Sequence, residues 1–203
     1  MMRAYDESYL YYTTTKLGEM FEEAVLFYGI DIDEFGELFS LSNLSTFFEE
    51  SNPIYVLGKS SSELLGLLLN IEPIDYNISE DKTPEYWVGY IYSYVQWYTG
   101  LKYQDIMKTI TPSELVLCYF PYHEMDVMHI INLFIERMNI KSPLITKRKE
   151  RGLSQNDLAI LSHVNIRNIR AYEQGTIDIS KAQGDTLYRL SKVLGCTIEE
   201  LIL

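Results

Sequence analysis

The stretch from Gly152 to Gly175 constrains this chain more than any other, because its signals for starting, turning and stopping a helix fall within 24 residues. Ser154 is a good helix N-cap, and Asp157 stands three residues on, where a capping box places its acid. Leu158, Ala159 and Leu161 follow as one apolar face at helical spacing. The turn falls at Ser162-His163. A second helix opens at Asn165, another preferred cap, carries Ile169 and Tyr172 inward, and stops at Gly175. Two helices crossing steeply over so short a turn need a small side chain where their backbones approach. Ala159 holds that place, and Leu158, Val164, Ile169 and Tyr172 fill the angle.

The residues left facing outward on the second helix are Asn165, Arg167, Asn168 and Arg170. Two cations and two amides on one helix face are the chemistry that meets phosphates and base edges in a major groove. Upstream, Lys147, Arg148, Lys149 and Arg151 form a basic helix. Its charges read either as an ordinary solvated face or as phosphate contacts, with contact expected for one or two of the four. Downstream, Thr197-Ile198-Glu199-Glu200 is a further capping box that starts a last helix.

These residues resemble the Cro/C1 (Xre-type) helix-turn-helix family from about Leu144 to Leu201. The resemblance is carried by Lys147 to Gln155, by Tyr172-Glu173-Gln174-Gly175, and by Leu187 to Leu201. It implies a five-helix, lambda-repressor-like DNA-binding domain over residues 140–203, completed by helices over Ser180–Leu194 and Thr197–Leu203. It also implies that Gln155, with Ser154 beside it, clamps backbone phosphate. Arg167 and Ala171 match groove-facing positions, flanked by Asn165, Ile166, Asn168 and Arg170. Lys147, Arg148 and Arg151 are the further phosphate contacts. The family usually has Gly in the turn, where φ is positive. His163 stands there instead and is expected to bring strain without losing the motif. One such helix reads few base pairs, so a homodimer on a palindromic double-stranded operator is expected.

A formal net charge of −12 looks wrong for such a protein until the chain is split. From Ile140 on there are 10 Lys+Arg against 7 Asp+Glu, a net of +3; before it there are 7 against 22, a net of −15. An acidic body thus carries a mildly basic tail. The body must keep clear of the phosphates, and it suits a basic partner.

Residues 1–139 read as helices throughout: Asp6 to Tyr28, Asp31 to Phe39, Leu44 to Glu50, Ser61 to Asn70, Pro84 to Thr99, Tyr103 to Ile110, Pro112 to Tyr119 and Tyr122 to Met138. Ser60–Glu63 and Thr111–Glu114 are capping boxes, and Pro84 and Pro112 sit where a helix tolerates proline best. Ile54 to Leu57 suits a short extended piece, and Ile71 to Lys82 a loop. The boundary between the halves is placed at Asn139 to Pro143. The fold class is all-α.

Of the 17 tyrosines, 15 precede Asn139. Tyr86, Trp87, Tyr90, Tyr94 and Trp97 make one helix aromatic nearly all round. Such a helix is a core element whose phenols bond internally, or a partner-binding surface; core packing is the favoured of the two. Several segments of this half, among them Leu17 to Phe21, Asn52 to Ser60 and Pro121 to Asp126, resemble bacterial antitoxin-type regulators with an acidic helical front and an Xre-type tail. That resemblance implies a toxin protein bound by the N-terminal domain. The alternative is a stand-alone regulator whose front half dimerises or senses a ligand.

Catalytic, metal and cofactor signatures are weak. His123 and Asp126 share a helix face, but His129 lies six residues from His123, and the segment reads first as a capped helix start. Gly58-Lys59-Ser60 ends like a phosphate loop but has Pro53 where its first glycine belongs. The acids from Asp31 to Glu37 lack calcium-loop spacing. No enzyme, cofactor or metal is therefore expected. Cys118 and Cys196 read as free thiols of a cytoplasmic protein, and the longest uncharged run, Trp87 to Leu101, is too short to span a membrane.

Overall fold

The computed structural model describes residues 3–73, 82–138 and 142–202, and the described residues contain helices and no strands. Packing divides the chain into two units, Arg3–Phe134 and a second from Ile135 onward. Of the boundary read at Asn139 to Pro143, residues 139–141 lie outside the described residues, as does the middle of the loop read over 71–82.

Among the described residues the first unit holds nine α-helices: α1 (Leu10–Leu26), α2 (Ile32–Leu41), α3 (Asn43–Glu49), α4 (Pro53–Val56), α5 (Ser61–Leu69), α6 (Pro84–Thr99), α7 (Tyr103–Thr109), α8 (Pro112–Tyr122) and α9 (Val127–Arg137), whose last residues fall in the second unit. Its centre is the pair α1 and α6. Gly89 lets their backbones meet: a Cβ there would lie 2.3 Å from the Leu17 carbonyl oxygen. Around this contact pack Leu17, Met20, Phe21, Ile91, Tyr92 and Val95, all buried. Thr83 caps α6 with Pro84 behind it, and Gly100 ends it at φ 68°. The aromatic helix is thus the core element that its all-round apolarity favoured. Its polar tips find partners inside: the Tyr92 hydroxyl donates to the Ile110 carbonyl at 2.7 Å, and the Trp97 indole N–H to the Tyr5 carbonyl at 2.9 Å.

Three element readings are corrected. Ile54 to Val56 is helical, because Asn52 caps the turn and Pro53 occupies its first position. The first long helix begins as a 3-10 turn over Glu7–Tyr9 under the Asp6 cap, before α1 starts. The helix read from Tyr122 starts at Val127 instead. α8 runs on through Pro121 to Tyr122, and Asp126 then caps α9 by accepting from the Met128 N–H at 2.8 Å.

The second unit holds α10 (Pro143–Glu150), α11 (Gln155–Ser162), α12 (Ile166–Glu173), α13 (Gly184–Leu194) and α14 (Glu199–Ile202). These are the five expected helices, except that Ile179–Lys181 is a 3-10 turn and α13 starts only at Gly184. Leu144, Leu158, Val164, Ile169, Tyr172, Ile179, Leu187, Leu190, Leu194 and Leu201 form its core, with Ala159 packed against them. Leu161 is a further correction: it is 55% exposed. Ser162, four residues beyond Leu158, takes the inward position and bonds its hydroxyl to the Leu158 carbonyl at 2.6 Å.

Candidate nucleic-acid interface

The interface is assembled by caps. Ser154 and Asp157 exchange hydrogen bonds at 3.1 and 2.9 Å at the start of α11, and these bonds hold the Asp157 carboxyl below its usual range. His163 ends α11 in the left-handed region at φ 54°. Asn165 caps α12 by accepting from the Arg167 N–H at 2.8 Å. From that start α12 buries Ile169, Tyr172 and Glu173 and turns Arg167, Asn168 and Arg170 to solvent; Ile166 and Ala171 are half-buried. Among the described residues no carboxylate pairs with Arg167 or Arg170.

Glu173 is the residue that reading the sequence missed. Its side chain is 4% exposed and faces Arg148 of α10, with contacts of 2.6 Å from the guanidinium Nε and 3.1 Å from Nη2. Arg148 also donates to the Leu153 carbonyl at 2.6 Å, and the Gln155 amide donates to Glu173 at 2.7 Å. A single buried carboxylate therefore ties α10, α11 and α12 together. Its position was in the sequence: Glu173 lies four residues after Ile169, on the inward face.

This corrects the assignment of the basic helix. Arg148 is buried in the staple and cannot also grip a phosphate; the Glu173 carboxylate raises its pKa further. Lys147 pairs with Glu200 at 3.0 Å, and the Arg151 Nε donates to the Leu194 carbonyl at 2.8 Å. Lys149 and Arg151 are the exposed cations of this segment, Arg151 standing just past the end of α10. Gln155 keeps its second amide N–H beyond the staple, next to the open N-terminus of α11.

Of the aromatic residues expected as partner surface, Tyr86 and Trp97 are buried, while Trp87, Tyr90 and Tyr94 are half-buried. His123, Asp126 and His129 do not converge: His123 stacks on Tyr119 and Asp126 caps α9. Among the described residues no group of three His, Cys, Asp or Glu is placed to hold a metal, and no helix is long and apolar enough to cross a membrane.

A helix pair crossing over a left-handed turn, with a cationic outer face on its second member, defines a DNA-binding transcription regulator. Residues 144–201 match the family described as Helix-turn-helix, and this segment is an Xre-type (Cro/C1) member of it. No curated protein and no solved structure matches the chain.

Proposed function

We propose that this protein is a sequence-specific repressor and the antitoxin of a toxin–antitoxin pair, controlling its own operon. Residues 140–203 form the DNA-binding domain and act as a homodimer on a palindromic operator. Residues 1–139 form the acidic domain that takes the toxin. The observation that carries the DNA-binding reading is the outer face of α12. Arg167, Asn168 and Arg170 project from a helix whose inner face is fixed by Ile169, Tyr172 and the Glu173 staple. Arg167 reads a base edge, Asn168, Arg170 and Ala171 flank it in the groove, and Ser154, Gln155 and Lys149 approach phosphates.

Footprinting and quantitative gel shifts test the roles. Arg167→Ala is expected to cost about 1–3 kcal/mol on the operator and to relax discrimination at one base pair. Lys149→Ala should weaken all sequences alike and shallow the salt dependence by roughly one unit. Equal effects from both variants would count against this division of labour. The antitoxin reading stands on the acidic charge of the N-terminal half and on the sequence resemblance. It requires that the full chain, expressed from its native locus, purify with one stoichiometric protein partner; operator control by the chain alone in that host would overturn it. One observation favours the second reading, a regulator with a ligand-sensing N-terminal domain: a groove beside α6 lined by Trp87, Tyr119 and His123.

A further inference from the structure

α8 uses one face inside the first unit and leaves the other open. Pro112 and Leu115 are buried, and Tyr119 and Tyr122 are half-buried. This inner face packs on α2 and α6. Pro112 lies over Gly36, where a Cβ would come within 2.7 Å of its ring, and Tyr119 meets Trp87 edge-on. The opposite face carries Ser113, Leu117, Phe120 and Pro121 at helical spacing, all exposed. Leu117 is 80% exposed and Phe120 83%, the two highest values for large apolar side chains among the described residues. Apolar groups scattered singly over a surface need no explanation, but a stripe on adjacent turns of one helix marks a docking face. Pro121 has no N–H to give to the Leu117 carbonyl, so a backbone acceptor opens on the same face.

The rim of this stripe selects the partner's charge. Glu114 flanks it along α8, and Glu124 follows at its carboxyl end with a side chain 85% exposed. Asp33 of α2 stands at its amino end and accepts from the Ser113 N–H at 2.8 Å. From Thr111 to Met128 the sequence has three acids and no lysine or arginine. Lys82 and Lys108 border α8 from its inner side, beside Tyr119 and Pro112. A second copy fits this face badly, because pairing it with itself sets the same acids against each other in two halves that each carry −15. An anionic lipid surface meets the same repulsion. A helix with its own apolar stripe between lysines or arginines matches both features.

We propose that the outer face of α8, centred on Leu117 and Phe120, is where a protein partner docks an amphipathic basic helix. The proposal rests on the reading of residues 1–139 as the domain that takes a protein partner, and it names the face and the chemistry of what sits on it.

Fluorescence anisotropy with the full-length protein tests the face with three labelled peptides. The first is an amphipathic helix with leucine at every third or fourth position and lysine elsewhere. The second is a scrambled peptide of the same composition, and the third has glutamate in place of lysine. The leucine–lysine helix is expected to bind one per chain with a Kd below roughly 100 μM, and the other two at least about tenfold more weakly. Leu117→Ser and Phe120→Ser should each weaken it about tenfold with unchanged melting curves, since both side chains project into solvent. Glu124→Lys should weaken it a few-fold, most at low salt. Ile54→Ser, at a 67% exposed position on α4, should leave binding intact. A Kd above that limit, equal binding of the scrambled peptide, or undiminished binding by Phe120→Ser each overturns the proposal. So does a dimer in sedimentation that Phe120→Ser dissolves, which would give the face to a second copy. Should a serine variant fold poorly, undiminished binding by Glu124→Lys at low salt overturns the proposal by itself. Purification from the native locus separates this face from the reading beneath it. A stoichiometric partner still held by Phe120→Ser removes the face and leaves the antitoxin reading, whereas no partner beside a positive peptide result removes that reading alone.

Discussion

His163 sits at φ 54°, a conformation that costs an L-residue with a Cβ roughly 1–2 kcal/mol. His163→Gly is therefore expected to stabilise the second unit, by at most about 1 kcal/mol, because glycine's freedom in the unfolded chain takes back part of the gain. Differential scanning calorimetry checks it; an unchanged or lower melting temperature would mean that the ring makes an offsetting contact. Glu23 poses the opposite problem. It is buried on α1, its Oε2 accepts from the Ser62 hydroxyl at 3.0 Å, and its Oε1 has no partner among the described residues. Burial outweighs that hydrogen bond and raises its pKa, with Glu19 adding to the rise. The folded state thus holds a proton more tightly than the unfolded chain, so this group lowers stability as pH rises from the ordinary glutamate range through the folded pKa. Glu23→Gln should raise the melting temperature at pH 7 and lose that advantage once the pH falls below about 4.3, the ordinary glutamate pKa. A benefit of equal size at both extremes would assign the effect to packing. Local chemistry of this kind was partly legible: the positive φ at His163 follows from the resemblance, whose turn usually carries Gly at that place. The strain at Glu23 was not, because it depends on which helix covers α1.

Among the elements, those with reciprocal caps were read correctly at their starts, since Ser60–Glu63, Thr111–Glu114 and Ser154–Asp157 each satisfy two backbone donors by local bonds alone. Read as an extended piece, α4 carries the same kind of local signal, with Asn52 as its cap and Pro53 as its first-turn residue. What local chemistry leaves out is partnership between helices. The contact of Gly89 with the Leu17 backbone and the reach of Arg148 to Glu173, 25 residues away, arise only when the elements assemble. The second of these gives a sharp test. Glu173→Ala leaves the Arg148 guanidinium buried without its counter-charge and frees Gln155 from its tether. Removing one partner of such a pair costs about 3–5 kcal/mol. The Arg148→Met/Glu173→Leu double variant should recover most of that loss, because apolar groups of similar volume need no compensation. It should still bind the operator more weakly than wild type, since Gln155 is then no longer oriented. Chemical denaturation and gel shifts on the three proteins separate the stability role from the positioning role, and a double variant as unstable as the single would refute the electrostatic account.

At the scale of the whole molecule, the charge division shapes how the protein meets DNA. An acidic half at −15 and a basic half at +3 travel together, so any duplex drawn to α12 is also repelled by the other half. That repulsion acts at long range and is screened by salt, with a Debye length of about 30 Å at 0.01 M and about 8 Å at 0.15 M. Base-edge contacts made at van der Waals distance are not screened in this way. Neutralising the exposed acids Glu34, Glu37 and Glu50 to glutamine should therefore tighten binding to random-sequence DNA at low salt by a few-fold and make little difference near physiological salt. The ratio of operator to random-sequence affinity should stay the same at every salt concentration. This behaviour would make the acidic half a suppressor of DNA binding of either kind at low salt, one that a basic partner would switch off by covering it. Fluorescence anisotropy across a salt series reads both quantities at once. A gain that persists unchanged at physiological salt, or a gain confined to the operator, would show that these acids act through local contacts instead of through the field of the whole molecule.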